Sequence, residues 1–408
     1  MTQALLRPRT LGLVLLGLLI LGFPYFNTMF EFMSGWPLLG WLLDPFRVFQ
    51  AGRFGVWLII LLGLNLLTGY SGQISLGYAA FVAVGAYVAA ILMTQYGVHV
   101  IPAVLAAGAF TGVVGFLVGA PALRLSGPYL AIATLALVIA LPQVLKHDLV
   151  SDWTHASQGI NFYEQGTAPV TPGVLEDRVD KDQWLYYCAI VPGVIMTVIA
   201  WNITRSRMGR AFMALRDTEL GAQQMGVNVS LYKMTAFGLS SFYAGIGGAL
   251  FVFTEAVLGP STFDVILSIT MLVMIVLGGL ASILGSIFAA AIMALRVEIV
   301  DAVVNVIPRG QEYRIDSLRG AIYGGMLVVF IILGPWGLAG SIQRLPRIRD
   351  RLVAGKFRFP GVSGIVYPVV RPFLLRRLRG AKSVDPNRQG GEGAQDEPHE
   401  EGGDTHRP

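Results

Sequence analysis

Long uninterrupted apolar runs, separated by short polar loops, set the first limit on how this chain can fold. A run of about 20 apolar residues is long enough to cross a bilayer as a helix. In hydrocarbon every backbone N–H and C=O must be bonded within the protein, so only helices and closed barrels span. The runs here are continuous rather than alternating, which argues against barrel strands. Charge agrees with this. Asp, Glu, Lys and Arg make up 13% of the 408 residues, where a soluble domain carries about 25%. So little charge cannot cover a water-facing surface, and most of the chain must face lipid.

The runs predict an all-α, polytopic transmembrane helical bundle of about ten spans. They fall near residues 11–30, 54–67, 74–93, 98–118, 129–145, 184–203, 231–253, 263–280, 283–300 and 318–333. The first is read as a retained helix, since no small-residue cleavage pattern follows it. The second is short for a crossing. Basic residues gather on cytoplasmic pieces. With a cytoplasmic N-terminus these hold Arg7, Arg9, Arg124, the basic loop 204–230 and the arginines that follow residue 341. The loop 146–183 carries seven acidic residues against only Lys146, Arg178 and Lys181, and falls outside. Arg47, Arg53, Arg309 and Arg314 are exceptions to the rule. Both termini are therefore expected in the cytoplasm. Trp57, Trp184, Trp201 and Trp336 are placed at span ends, where an amphipathic ring prefers the headgroup level.

Four regions follow: an N-terminal helix and connecting segment (1–53), a membrane domain (54–340), a basic segment (341–382) and an acidic Gly/Pro-rich tail (383–408) expected to be disordered. Within the basic segment, residues 371–379 intersperse leucine with arginine, which suits either the inner leaflet or a solvated charge run. Five scattered histidines, a lone Cys188 and the lack of a phosphate-binding loop give no basis for catalysis, a metal or a cofactor on this chain. The uneven charge reads as topology, not nucleic-acid binding. Small-residue pairs (Gly108 and Gly112, Gly115 and Gly119, Ala244 and Gly248, Gly320 and Gly324) mark close helix packing.

Two segments carry function candidates. Residues 67–77, LTGYSGQISLG, interrupt two apolar runs with Thr68, Gly69, Ser71, Gly72, Gln73, Ser75 and Gly77, and Asn65 lies one turn earlier. Polar irregular backbone at membrane depth survives only beside protein or a water-filled cavity, and broken helices often mark solute sites. A plain turn between spans is the alternative, and spacing alone favours it. Asn65 lines a path or bonds between helices. Residues 205–226 predict a short amphipathic helix with Met208, Phe212, Leu215, Ala222 and Met225 on one face. Arg205, Gly209, Arg210, Arg216, Asp217 and Glu219 belong to the same segment. Gly226 is placed to stop it, and Ser230 to cap the next helix. Such a helix suits a groove on a soluble partner, its own bundle, or the membrane interface.

Five blocks in order resemble one family, the permease subunits of branched-chain amino acid ABC importers of the LivM type. They are LNLLTGYSGQISLGYAAFVAVGAYVAA (64–90), ALRLSGPYLAIATLAL (122–137), SRMGRAFMALRDTELGAQQMGVNVSLYKMTAFGLSSFYAGIGGAL (206–250), LSITMLVMIVLGGLASILGSIFAAA (267–291) and GPWGLAG (334–340). Many importers place E-A-A in the ATPase contact loop; here Leu220-Gly221-Ala222 stands there, with Gly226 in place. The resemblance implies an ABC importer permease fold in a bacterial inner membrane. It also implies a second homologous permease, two cytoplasmic ATPase subunits and an extracytoplasmic solute-binding protein. Residues 205–226 would then be the ATPase coupling loop. A urea or short-chain amide importer is the alternative within the class. A self-sufficient secondary transporter would place ionisable pairs at mid-bilayer, whereas Asp264, Arg296, Glu298 and Arg319 fall at outer span ends.

Overall fold

The computed structural model describes residues 45–123, 125, 127–154, 159–161, 181–255, 257–296, 298 and 324–325. The chain divides into two units, Met1–Ile342 and Gln343–Pro408, and every described residue lies in the first. The expected first span, nearly all of the tenth, Trp336, Gly320, the basic segment and the acidic tail lie outside the described residues.

The elements in chain order are α1 (Pro45–Leu64), α2 (Tyr78–Thr94), α3 (Val100–Ala122), α4 (Pro128–Leu145), α5 (Asp148–Thr154), β1 (Ile160–Asn161), α6 (Lys181–Arg205), α7 (Arg207–Asp217), α8 (Glu219–Gln224), α9 (Val229–Phe251), β2 (Val257–Leu258), α10 (Val265–Gly278) and α11 (Ile283–Ala294). The eight expected spans within the described region are each helical. Among the described residues, five helical stretches are long and apolar enough to cross a membrane, and three shorter apolar helices accompany them. Among the same residues, the departure from all-α is a two-residue antiparallel pairing, Ile160 with Leu258 and Asn161 with Val257.

The second span is longer than its apolar run suggested. It starts at Pro45 rather than residue 54, so the boundary drawn at 53/54 falls inside α1, and the stretch Phe46–Tyr70 is long enough to cross. Arg47 and Arg53 are helical residues, not loop residues, and masked this start in a hydropathy reading. Trp57 consequently lies mid-helix. It is 2% exposed and meets Phe251 edge-on at 5.4 Å, so it is not a headgroup anchor. Trp201, near the end of α6, is exposed.

α9 sits at the centre and packs on α3, α2 and α1, while α1 also packs on α6 and α11. Lipid offers no hydrophobic drive for helix association, so close backbone contact must supply it. Gly85 of α2 faces Gly245 of α9 so closely that a Cβ on either would strike backbone or the side chain of Thr111. Gly108, Gly112, Gly115 and Gly119 form one stripe along α3 against α9. The opposite face of α3 presents Ile101, Leu105, Phe110, Val113 and Leu117, all more than half exposed. Their helical spacing on a bare face suits a hydrocarbon surround.

Candidate functional site

The helix of α1 does not end at Leu64. It widens into a π turn, Asn65–Tyr70, whose six residues are all buried. Such turns are rare and recur at functional sites. Ser71 N–H donates to Leu66 O at 3.2 Å and Gln73 N–H to Leu67 O at 3.1 Å, closing it. Residues 71–77 then run without helix to α2. Ser71, Gln73 and Ser75 are buried while Gly72 and Ile74 are exposed, the two-residue alternation of extended chain. Gly72 carries φ +74°, a conformation glycine adopts at little cost. The segment is thus a connector between spans, but one buried in protein.

Its polar groups are mostly used internally. Asn65 Nδ2 donates to Ser282 O and Ser286 Oγ, both at 2.8 Å, and Asn65 Oδ1 accepts from Ala281 N–H at 3.0 Å. Asn65 therefore clamps α1 to the start of α11. Ala281, at φ 55°, is the non-glycine residue that this clamp pins. Thr68 Oγ1 donates to Gln73 O at 3.3 Å, Ser71 Oγ to Leu67 O at 2.6 Å, and Gln73 Nε2 to Ser71 Oγ at 3.0 Å. Leu76 N–H donates to Thr134 Oγ1 at 3.0 Å, and Gly77 lies against the Thr134 carbonyl with no room for a Cβ. Gln73 Oε1 and Ser75 Oγ are buried without a hydrogen-bond partner.

The second candidate segment is two helices, not the single one expected. Thr218, extended at φ −157° and ψ 121°, separates α7 from α8. Ser206 Oγ caps α7, accepting from Met208 N–H at 3.1 Å. Gly209, Ala211, Phe212 and Leu215 form its buried face, and Ala222 is the buried residue of α8. Met208 and Met225, expected on that face, are exposed, Met225 at 86%. The break rotates α8 out of register with α7. Gly226 takes φ +78° after α8, as expected of a helix stop. Asn228, not Ser230, caps α9: its Oδ1 accepts from Leu231 N–H at 3.1 Å.

These two segments, distant in sequence, meet. Arg216 Nη1 donates to Gly69 O at 3.4 Å, and Gly72 lies so close that a Cβ there would sit 2.7 Å from Arg216 Cγ. Arg216 also pairs with Asp217 at 3.2 Å. Glu219 pairs at 2.7 Å with Lys233, which is 5% exposed near the start of α9. Between connector and helices lies a cavity of about 180 Å³, walled by Ser71, Gly72, Gln73, Leu215, Asp217, Thr218 and their neighbours. The remaining candidates stand apart. Arg205 stacks over Trp201 at 4.0 Å, and Arg210 Nη1 donates to Arg205 O at 3.2 Å.

Two features were not among the sequence candidates. Lys233 pairs with Glu219, which stands on a different helix, a pairing no single-helix period exposes. At the other end of α1, Arg47 Nη1 donates to Gln50 Oε1 at 2.5 Å, Gln50 Nε2 donates to Glu298, and Arg53 lies over the Phe49 ring at 6.0 Å. Burial pushes the nearby Glu255 carboxyl above its usual range, while Arg53 and then Arg296 pull it back.

Comparison with known proteins places this geometry. The family description "Branched-chain amino acid transport system / permease component" matches residues 47–331. The chain is 31% identical over 312 residues to the high-affinity branched-chain amino acid transport system permease protein LivM of Salmonella typhimurium strain LT2, covering 73% of this chain and 69% of the relative. It is 30% identical over 317 residues to LivM of Escherichia coli K12, with the same coverage. A shorter similarity, 28% over 137 residues, joins 33% of the chain to 39% of the autoinducer 2 import system permease LsrC of Salmonella paratyphi B. No solved structure matches. The family match takes in the π turn, the connector and both α7 and α8, and the chain belongs to the permease components of branched-chain amino acid transport systems.

Proposed function

We propose that this chain, with a second related permease, forms the translocation pathway of an ATP-driven importer for leucine, isoleucine and valine in a bacterial inner membrane. Two cytoplasmic ATPase subunits grip α7 and α8, and an extracytoplasmic binding protein delivers the solute. Both termini lie in the cytoplasm. The similarity to the LivM permeases of branched-chain amino acid transport systems supports the solute class.

The observation that carries the coupling role is the hold of Arg216 and Glu219 on the bundle. A push on α7 and α8 reaches the π turn of α1 through the Gly69 carbonyl, and α9 through Lys233. These are the two helices around which the others pack. A rigid-body rocking driven by ATP needs such a link between a soluble lever and the spans. Solute choice resides mainly in the binding protein, since a fixed charge at mid-bilayer is costly.

The test is uptake of labelled leucine in cells carrying this chain with its partners, and in cells lacking the ATPase subunits. Uptake is expected only in the first. Uptake that persists without the ATPases marks a secondary transporter. Uptake of urea or a short-chain amide in place of leucine moves the chain to that importer class.

A further inference from the structure

We propose that the corner where α6 meets α7 is a binding site for the headgroup of an anionic phospholipid, in the leaflet on the α7 side of the membrane. Trp201, Arg205, Arg207 and Arg210 form it. The inference goes beyond the transport reading and needs neither the solute nor the ATPase subunits named there.

One face of α6 is graded along its length. Val191, Val194, Val198, Trp201 and Arg205 follow one another at three- and four-residue steps, and all five are exposed. Residues at such steps share a helix face. From Val191 to Trp201 the helix rises about 15 Å, the hydrocarbon depth of one leaflet in a core about 30 Å thick. Arg205 stands about 6 Å further, within a headgroup layer about 5–7 Å deep on each side. Apolar, then aromatic, then cationic is the order that matches a phospholipid's chains, its interfacial level and its phosphate.

The cationic end is held in place and lacks a protein counter-charge. The Arg205 guanidinium lies over the Trp201 ring at 4.0 Å, a cation–π contact that fixes its position. The Arg205 carbonyl accepts from Arg210 Nη1 at 3.2 Å, which brings a second guanidinium to the same corner. Arg207 is exposed, stands three residues before Arg210 and so on its side of α7. Among the described residues, Arg207 makes no hydrogen bond, and none of the three arginines has an ion-pair partner. Asp217, at the far end of α7, pairs with Arg216, and Glu219 on α8 pairs with Lys233. A phosphate accepts two parallel N–H bonds from one guanidinium. Phosphatidylcholine brings its own cation, for which this corner has no carboxylate; an anionic lipid brings none. An acidic soluble partner would answer the arginines but leave the apolar part of the same face bare. A lipid covers both, and leaves α8 and the far end of α7 open to other partners.

The test places the full chain in phosphatidylcholine vesicles that contain a rising fraction of phosphatidylglycerol brominated on its acyl chains. Brominated phosphatidylcholine is the comparison. Bromine quenches tryptophan fluorescence on contact, and the share due to Trp201 is the difference from Trp201→Phe. That share is expected to be quenched at an about fivefold lower fraction of phosphatidylglycerol than of phosphatidylcholine, the preference that one arginine near an anionic surface supplies. It is also expected to level off at a low fraction, as occupancy of a single site does. Arg207→Gln removes a charge without removing a contact to the described residues, and is expected to lower the preference at least twofold. Replacing Arg205, Arg207 and Arg210 together by Gln is expected to bring it to about one. If the triple variant does not insert, Arg207→Gln decides. Equal quenching by the two lipids overturns the proposal. So does quenching that rises in proportion to phosphatidylglycerol without levelling, or a preference unchanged in either variant.

Discussion

Arg216 and Arg210 look alike in the sequence, two arginines on one polar face, but the structure separates them. Arg210 bonds an exposed carbonyl on its own segment, while Arg216 reaches Gly69 in the π turn of α1. Losing a charged hydrogen bond typically costs about 1.5–3 kcal/mol, and a partly exposed one lies at the low end. Arg216→Glu should therefore lower leucine uptake about tenfold without loss of protein from the membrane, and Arg210→Glu should do much less. Uptake assays on the two variants, with membrane content measured by immunoblot, check this. Asn65 offers a contrast. Both ends of its amide are spent on residues 281–286, so Asn65→Ala is a stability variant. Interhelical hydrogen bonds in membranes are each worth about 0.6 kcal/mol and at most about 1.7. A loss of about 1–2 kcal/mol, seen as a lower melting temperature in detergent, is expected. Glu255 adds a pH dependence. Its folded-state carboxyl titrates above its ordinary value, so the protonated form is the one folding favours. That stability is fully present below about pH 4, the ordinary glutamate value, and is lost as pH rises through the shifted one. Melting curves of the natural chain should show this fall with rising pH, and those of Glu255→Gln should lack it.

At the scale of elements, the apolar runs located every described span, because the cost of unbonded backbone in lipid leaves helix as the only form available. What the runs did not locate were ends and breaks. Arg47 and Arg53 hid the first turns of α1, since a hydropathy reading counts a charge as an exit even where the residue belongs to the helix. The polarity of residues 67–77 marked them as special; their burial depends on Thr134 and Arg216, which lie far along the chain. The split at Thr218 was signalled, because a threonine followed by glutamate is a helix-start pattern, but the apolar spacing across it looked continuous. The connector yields a prediction of its own. Gly72 combines a positive φ with contact against Arg216. Gly72→Val must shift both backbone and Arg216, and should cut leucine uptake at least as severely as Arg216→Glu. Gly226, with a similar φ but open space around it, serves as the control. Gly226→Ala pays only the backbone cost, about 1 kcal/mol, and should retain most uptake.

For the whole molecule, the physical question is what holds the described spans together in a solvent as apolar as their own side chains. The lipid-facing surfaces of α3, α4 and α6 gain nothing from leaving hydrocarbon. Cohesion must then come from close approach, and the closest approaches converge on α9. Gly245 lies against Gly85 and Thr111, Gly248 against the Val82 carbonyl, and Gly247 against Ile60. One face of α9 therefore meets α2 and α3, and another meets α1. A single side chain placed at this crossing should disturb every neighbour at once, with little room to repack, because the opposing atoms are the Ala107 carbonyl and the stiff, β-branched Thr111 side chain. Gly245→Leu is expected to insert into the membrane, since its helix becomes more apolar, yet to fail to assemble. In detergent it should lose the cooperative thermal transition, and its helices should become open to proteolysis while helical content by circular dichroism stays near that of the natural chain. A cooperative transition within a few degrees of the natural one would mean that glycine contact is not what binds α9 to its neighbours. The proposed path of force from Arg216 through α1 and α9 to the rest of the bundle would then need another carrier.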